Sequence, residues 1–338
     1  METKTDSQID KSNMKQIILD YPKQFDSILR SAKDFKIEGD FENIIICGIG
    51  GSALAASVFI TWLDYSKAKT AIPVYVHRDY GLPKQADKNS LVICISYSGN
   101  TEEPLSGFEE AIKKGIATAA IASGGKTEEI CKKNNIPLIK IPSGIQPRSA
   151  TGYLFTALAK ILSGLKLIAD PSGEIAKTVE KLEKTSQELE GKSIAEKLFN
   201  KIPVVYASNS LKHIARSWKI KFNENSKSPA FYNYFPELNH NEMVGFSQNR
   251  KENGDFHILI LRDQNDHPRN LERMNLFAEL VKSRNVGLDF IDIKEGNPLF
   301  KIFSVIILGE WVSYYLALKY NIDPTPVKII EEFKKKMT

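Results

Sequence analysis

Residues 91–103 read Leu-Val-Ile-Cys-Ile-Ser-Tyr-Ser-Gly-Asn-Thr-Glu-Glu, and the fold is decided there. Leu91–Ile95 is continuously apolar, as a strand covered on both faces of a parallel sheet must be. Ser96-Tyr97-Ser98-Gly99-Asn100 ends that run with turn-forming residues. Thr101 suits a helix N-cap, and Glu102 and Glu103 suit the first helical turn. A single cap needs a single hydroxyl, yet Ser96, Ser98 and Thr101 converge where the strand gives way to the helix. That point is the carboxyl edge of a parallel sheet, where open α/β folds bind their ligands. Hydroxyls and backbone N–H groups gathered there suit a phosphate.

Working outward, the same alternation of short apolar runs and helical patterns continues on both sides, the signature of βαβ units. Strands are expected at Asn43–Cys47, Pro73–His77, Ala117–Ala122 and Pro137–Ile141, with helices near Ser52–Leu63, Glu102–Lys114, Thr127–Lys133 and Ala150–Leu165. The segment from about 173 to 200 has Ile175, Val179, Leu182 and Leu189 along one side and predicts one long connecting helix. Beyond it the pattern restarts, with strands at Pro203–Ala207, Phe256–Leu261 and Leu288–Ile293. Helices are expected at Leu211–Phe222, Pro268–Arg284, Pro298–Tyr320 and Pro326–Lys336. Two similar α/β domains follow, 1–168 with an N-terminal helical extension and 169–338, the boundary falling near Leu167–Gly173.

The bulk numbers exclude several classes. With 338 residues, 42% of them hydrophobic and 26% charged, the chain has ordinary globular proportions and room for two cores. A net charge of +5, with both signs interspersed, suits anionic metabolites and falls short of a nucleic-acid footprint. Cys47, Cys94 and Cys131 are odd in number and form no CxxC pair, against a disulfide framework or a zinc site. Cys47 and Cys94 lie in strand-like runs and read as buried, inert thiols. A reducing cytoplasm is the expected location. Residues 1–16 are polar and lack the apolar region of a secretory signal. The most membrane-like stretch, Ile302–Leu318, has Glu310 at its centre and is short for a span of about 20 residues. It reads as a buried core helix, and no membrane partner is expected.

A second glycine-rich turn, Cys47-Gly48-Ile49-Gly50-Gly51-Ser52-Ala53, also joins a strand to a helix. It suits an anion at a helix N-terminus and equally fits a GxGxxA dinucleotide fingerprint. The acid that such a fingerprint wants about 20 residues on is met only by Asp79, which stands late for it. Among the polar residues, Glu224 in Asn-Glu-Asn ends a helix and could be a solvated carboxylate. Arg148 could be a surface charge or, in a loop beside a phosphate site, could stabilise a developing oxyanion. His240 could be a surface histidine or, with Glu242, a metal ligand, but no HExxH pattern supports the latter. The histidines at 77, 213, 240, 257 and 267 show no ligand spacing. Lys334 opens a Lys-Lys-Lys run that could simply favour a helix C-terminus.

Gly50-Gly51-Ser52 followed by Ser96-x-Ser98-Gly-x-Thr101-Glu resembles the sugar isomerase (SIS) domain. Gln146-Pro147-Arg148-Ser149, Asn223-Glu224-Asn225, Glu237-Leu238-Asn239-His240-Asn241-Glu242 and Asp323-Pro324-Thr325-Pro326-Val327 extend the likeness. In that order, across both halves, they resemble the bifunctional phosphoglucose/phosphomannose isomerase family. The resemblance implies two SIS domains, each a doubly wound parallel sheet, in a homodimer. It implies interconversion of glucose and mannose 6-phosphates with fructose 6-phosphate. Ser96, Ser98 and Thr101 would hold the phosphate, Gly50, Gly51 and Ser52 would line the sugar, and Thr325 would stand near C2. Glu224 would move the proton and Arg148 would steady the enediolate. His240, reaching the neighbouring subunit, and a lysine near the chain end would open the ring. Val327, Ile330 and Phe333 share a helix face that adjoins Lys334, which favours Lys334 over Lys328. No metal or organic cofactor is implied. An isomerase of amino sugars or of another phosphosugar, a non-catalytic sugar-phosphate sensor and an NAD-linked dehydrogenase remain as alternatives.

Overall fold

The computed structural model describes residues 5–66, 70 and 72–337. They form two compact units. One comprises Asp20–Thr185 with Gly296–Ile302; the other takes the N-terminal helices up to Leu19, Ser186–Glu295 and the chain from Phe303 on.

The first unit is built on β1 (Asn43–Cys47), β2 (Val74–His77), β3 (Ser90–Ser96), β4 (Ala117–Ala122) and β5 (Leu138–Lys140). All pairings are parallel, in the order β2-β1-β3-β4-β5. Each expected strand of this half is present within two residues at either end. Continuous apolar runs were the right signal because the middle of the sheet is covered on both faces: every residue of β3 is buried. Phe108 and Ala111 of the helix Glu102–Lys113, with Cys131 of Gly125–Asn134, pack over Cys47, Val92, Cys94 and Ala120. The helix Gly50–Tyr65 packs against Thr151–Gly164, where Phe155 sits 5.6 Å from both Phe59 and Trp62, centroid to centroid. The strand order reverses between β1 and β3, so the loops leaving these two strands diverge and open a crevice at their carboxyl ends. The two glycine- and serine-rich motifs are those loops.

The second unit carries β6 (Ile202–Ser208), β7 (Phe231–Phe235), β8 (Phe256–Arg262) and β9 (Gly287–Asp292), all parallel, in the order β7-β6-β8-β9. The sequence reading missed β7. It is an edge strand whose Phe231 and Tyr232 are exposed, so it lacks the buried run that marks its neighbours. The long connecting helix expected from 173 to 200 is two helices, Ser172–Glu183 and Glu188–Leu198. Thr185 Oγ1 turns back to the Lys181 carbonyl at 2.7 Å, a side-chain bond that competes with helix continuation. Glu188 and Glu190 then suit a new N-terminus. The chain changes unit at this break, between Thr185 and Ser186, rather than near Leu167–Gly173. Among the described residues one helix, Pro298–Lys319, is long and apolar enough to cross a membrane, and its apolar window is wholly buried.

All three cysteines are free and buried. Burial pushes the Cys47 thiol up to about 12 and Cys131 up to about 11, and raises Cys94 as well. Since the thiolate is the reactive form, a thiol-reactive disulfide reagent at pH 8 should find no fast-reacting group in the folded protein and three after denaturation. Rapid modification of the native chain would contradict this arrangement.

Candidate active site

The loop after β3 is fixed from several directions. Ser96 is fully buried, and its hydroxyl donates to Thr101 Oγ1 at 3.1 Å while accepting the Thr101 N–H at 3.4 Å. Ser98 Oγ accepts the Asn100 N–H. Ser52, in the first turn of the helix Gly50–Tyr65 that follows β1, accepts the Tyr97 N–H at 3.1 Å, so the two motifs are tied together. Gly99 has φ +75°, and its carbonyl accepts both the N–H and the hydroxyl of Thr127. The result is a hydrogen-bonded cup of hydroxyls and N–H groups at the switch point, suited to an oxyanion.

Arg148 belongs to the same unit. It lies in the single turn Pro147–Ser149, is 1% exposed, and donates to Gln146 Oε1 at 3.2 Å. Gly51 explains how this turn comes so near the β1 loop: a Cβ there would stand 2.5 Å from the Pro147 carbonyl carbon and 2.8 Å from the Arg148 nitrogen. That close approach accounts for the glycine without any dinucleotide. Tyr97 adds a second tie, its hydroxyl accepting the Ile145 N–H at 3.2 Å. Gln24, 3% exposed, donates to the Ser149 carbonyl at 2.8 Å and accepts the Tyr153 N–H. Neither Gln24 nor the side chain of Tyr97 drew attention in the sequence, because their partners are remote along the chain.

Glu224, His240, Thr325 and Lys334 are on the second unit. Glu224 is the last residue of the helix Lys212–Glu224. It lines a cavity of about 620 Å³ together with Asn223, Lys227, Asp323, Val327 and Lys328. Lys227 Nζ donates to the carbonyls of Glu224 at 2.7 Å, Asn225 at 3.2 Å and Pro324 at 3.0 Å. One cation thus satisfies the helix end and joins it to the turn that carries Thr325. Thr325 is held by its own N–H bond to Asp323 Oδ1 at 3.1 Å. Lys328, at the start of the helix Lys328–Met337, lines the cavity; Lys334 stands further along this exposed helix.

His240 ends the short turn Glu237–His240 and is exposed. Leu238 plugs the turn into the core beside Phe235 and Phe277. Glu242 receives the Tyr206 hydroxyl at 2.5 Å on one oxygen and the Asn233 amide on the other. Burial first, then Glu242, raises the Tyr206 hydroxyl well above its ordinary range. Glu242 therefore anchors the His240 turn to β6 and β7. Among the described residues no three His, Cys, Asp or Glu side chains gather as a metal site would need.

Two parallel sheets flanked by helices, with a hydroxyl-rich cup at the first switch point, define a two-domain SIS protein. Residues 187–337 match the family described as bacterial phospho-glucose isomerase C-terminal SIS domain. The C-terminal domain of glucosamine-fructose-6-phosphate aminotransferase from Francisella tularensis shares the fold. Its TM-score is 0.68 at 18% identity, over 93% of this chain and 97% of that one. The chain belongs to the bifunctional phosphoglucose/phosphomannose isomerase family. It is 40% identical to the member from Caldicellulosiruptor bescii, covering 95% of this chain and 97% of that protein. It is 39% identical to the member from Aquifex aeolicus, over 88% and 91% respectively.

Proposed function

We propose that this protein isomerises glucose 6-phosphate and mannose 6-phosphate reversibly to fructose 6-phosphate through a cis-enediolate. The observation that carries the reading is the near full-length kinship with proteins of that name, joined to the hydroxyl cup. In this reading Ser96, Ser98 and Thr101 hold the 6-phosphate while Gly50, Gly51 and Ser52 line the sugar. Glu224 takes the proton from C2 of the open-chain aldose and returns it to C1, as the O2 hydrogen passes to O1. Arg148 stabilises the enediolate charge. C2 is planar in that intermediate, so the two epimeric aldoses reach one ketose; Thr325 stands near this carbon.

His240 and Lys334 act in ring opening. His240 serves the active site of the neighbouring subunit of a homodimer, and Lys328, which lines the same cavity as Glu224, is the alternative lysine. The scheme draws on a carboxylate and a fixed cation and calls for no metal or organic cofactor. The same reading places the enzyme in the cytoplasm, at the hexose 6-phosphate step of glycolysis and gluconeogenesis, with no nucleic-acid or membrane partner. The test is a coupled assay of purified protein on each aldose phosphate, followed as fructose 6-phosphate, with EDTA in every buffer. Turnover of both substrates is expected. No turnover of either, or activity abolished by the chelator, would overturn the scheme.

A further inference from the structure

Two buried polar side chains bracket Glu224 at the end of its helix, and the scheme above has no use for them. Lys221, one turn before Glu224, and Asn225, immediately after it, are both fully buried. Each reaches Glu310, also fully buried, at the middle of the helix Pro298–Lys319. Lys221 Nζ donates to Glu310 Oε1 at 2.5 Å, and Asn225 Nδ2 to Glu310 Oε2 at 3.1 Å. The Asn225 amide also reaches Ser313 Oγ at 2.9 Å, and Ser313 in turn donates to the Gly309 carbonyl. The Asn225 N–H closes the last helical bond to the Lys221 carbonyl at 2.7 Å. Both carboxylate oxygens of Glu310 are thus committed to residues that bracket Glu224.

Stability does not account for this cluster. Desolvating two charges costs about as much as their attraction returns, and replacing a buried pair with well-packed apolar side chains is often neutral or stabilising. What an ion pair gives that apolar packing does not is direction: hydrogen bonds to both Glu310 oxygens hold the groups that meet them in one arrangement. We propose that Glu310 is a positioning residue for Glu224, fixing the helix end through Lys221 and Asn225 so that the Glu224 carboxylate leaves it in a single orientation. The inference rests on Glu224 being the proton-transferring base.

The decisive variant is the double substitution Lys221→Met/Glu310→Leu, which removes both charges together while the Asn225 amide keeps Ser313 Oγ as an acceptor. Its thermal midpoint should stay within a few degrees of wild type. Its kcat for glucose 6-phosphate should fall about 30-fold or more, as expected when a reacting group is misplaced by a fraction of an ångström. KM should hold within about threefold, because the phosphate cup is on the other unit. The isotope effect with substrate deuterated at C2 should rise, since proton transfer becomes the slow step. Asn225→Ala leaves the ion pair in place and removes the Asn225 bonds to Glu310 and Ser313 behind Glu224. It should move kcat and the isotope effect in the same direction, and it decides the matter if the double variant does not fold. Wild-type kcat and isotope effect in either folded variant would overturn the inference. Full activity in Glu224→Gln would instead overturn the assignment of the base, and this inference with it.

Discussion

Glu224→Gln should lower kcat for both aldose phosphates by about a thousandfold, within the range measured when a positioned general base is removed. That is about 4 kcal/mol of transition-state stabilisation. Glutamine keeps the shape of the side chain and much of its hydrogen bonding, but at neutral pH it cannot take a proton from carbon. The backbone around position 224 depends on other groups: Lys227 holds the Glu224 carbonyl, and the Ser228 N–H and the Ser226 hydroxyl hold that of Phe222. The fold and its melting temperature should therefore survive, and KM should change by no more than a few-fold. The measurement that isolates the chemistry is exchange of the C2 hydrogen with solvent deuterium, followed by NMR on the aldose phosphate. Exchange and isomerisation should fall together. A variant that still exchanges at the wild-type rate would mean that another group moves the proton.

What the sequence disclosed, and what it hid, divides along lines of chain distance. β1, β3 and β4 were legible because they lie inside a sheet covered on both faces, where burial forces an unbroken apolar run. The hydrogen-bonded turn at Ser96–Thr101 was legible for a related reason: its hydroxyls are within five residues of one another, so the local pattern already contains their meeting. β7 was not, because an edge strand need bury little and FYNYF has no clean alternation. Nor was the break after Glu183, since the apolar spacing of the two helices reads straight across it. The most instructive miss is Glu310. In the sequence it served only to argue against a membrane span, and its partner lies 89 positions earlier. Gln24 is similar, 125 positions from the carbonyl it holds. Such pairs have no period and no motif; only the folded chain brings them together.

Gly99→Ala should cost more substrate affinity than any single hydroxyl removed from the cup. Gly99 has φ +75°, where a side chain is strained, and an added Cβ would lie 1.8 Å from the Gly124 carbonyl oxygen and 2.7 Å from its carbon. The contact is backbone against backbone, so no rotamer change can relieve it; one of the two loops must move. The Gly99 turn is held by Thr127, and Asn100 accepts the Lys126 N–H at 3.0 Å, so motion of either loop drags Ser98 and Thr101 with it. KM for glucose 6-phosphate should rise about 100-fold, a few kcal/mol of lost phosphate binding, and inorganic phosphate should cease to compete. Strain and collision can be separated with Gly115→Ala. Gly115 has φ +67° and no atom within 4 Å of the added carbon, so it carries the left-handed penalty of about 1–2 kcal/mol alone. That variant should melt earlier and bind substrate normally. If Gly99→Ala melted earlier in the same way but kept its KM, the cup would tolerate the displacement, and phosphate would have to be held elsewhere on this unit.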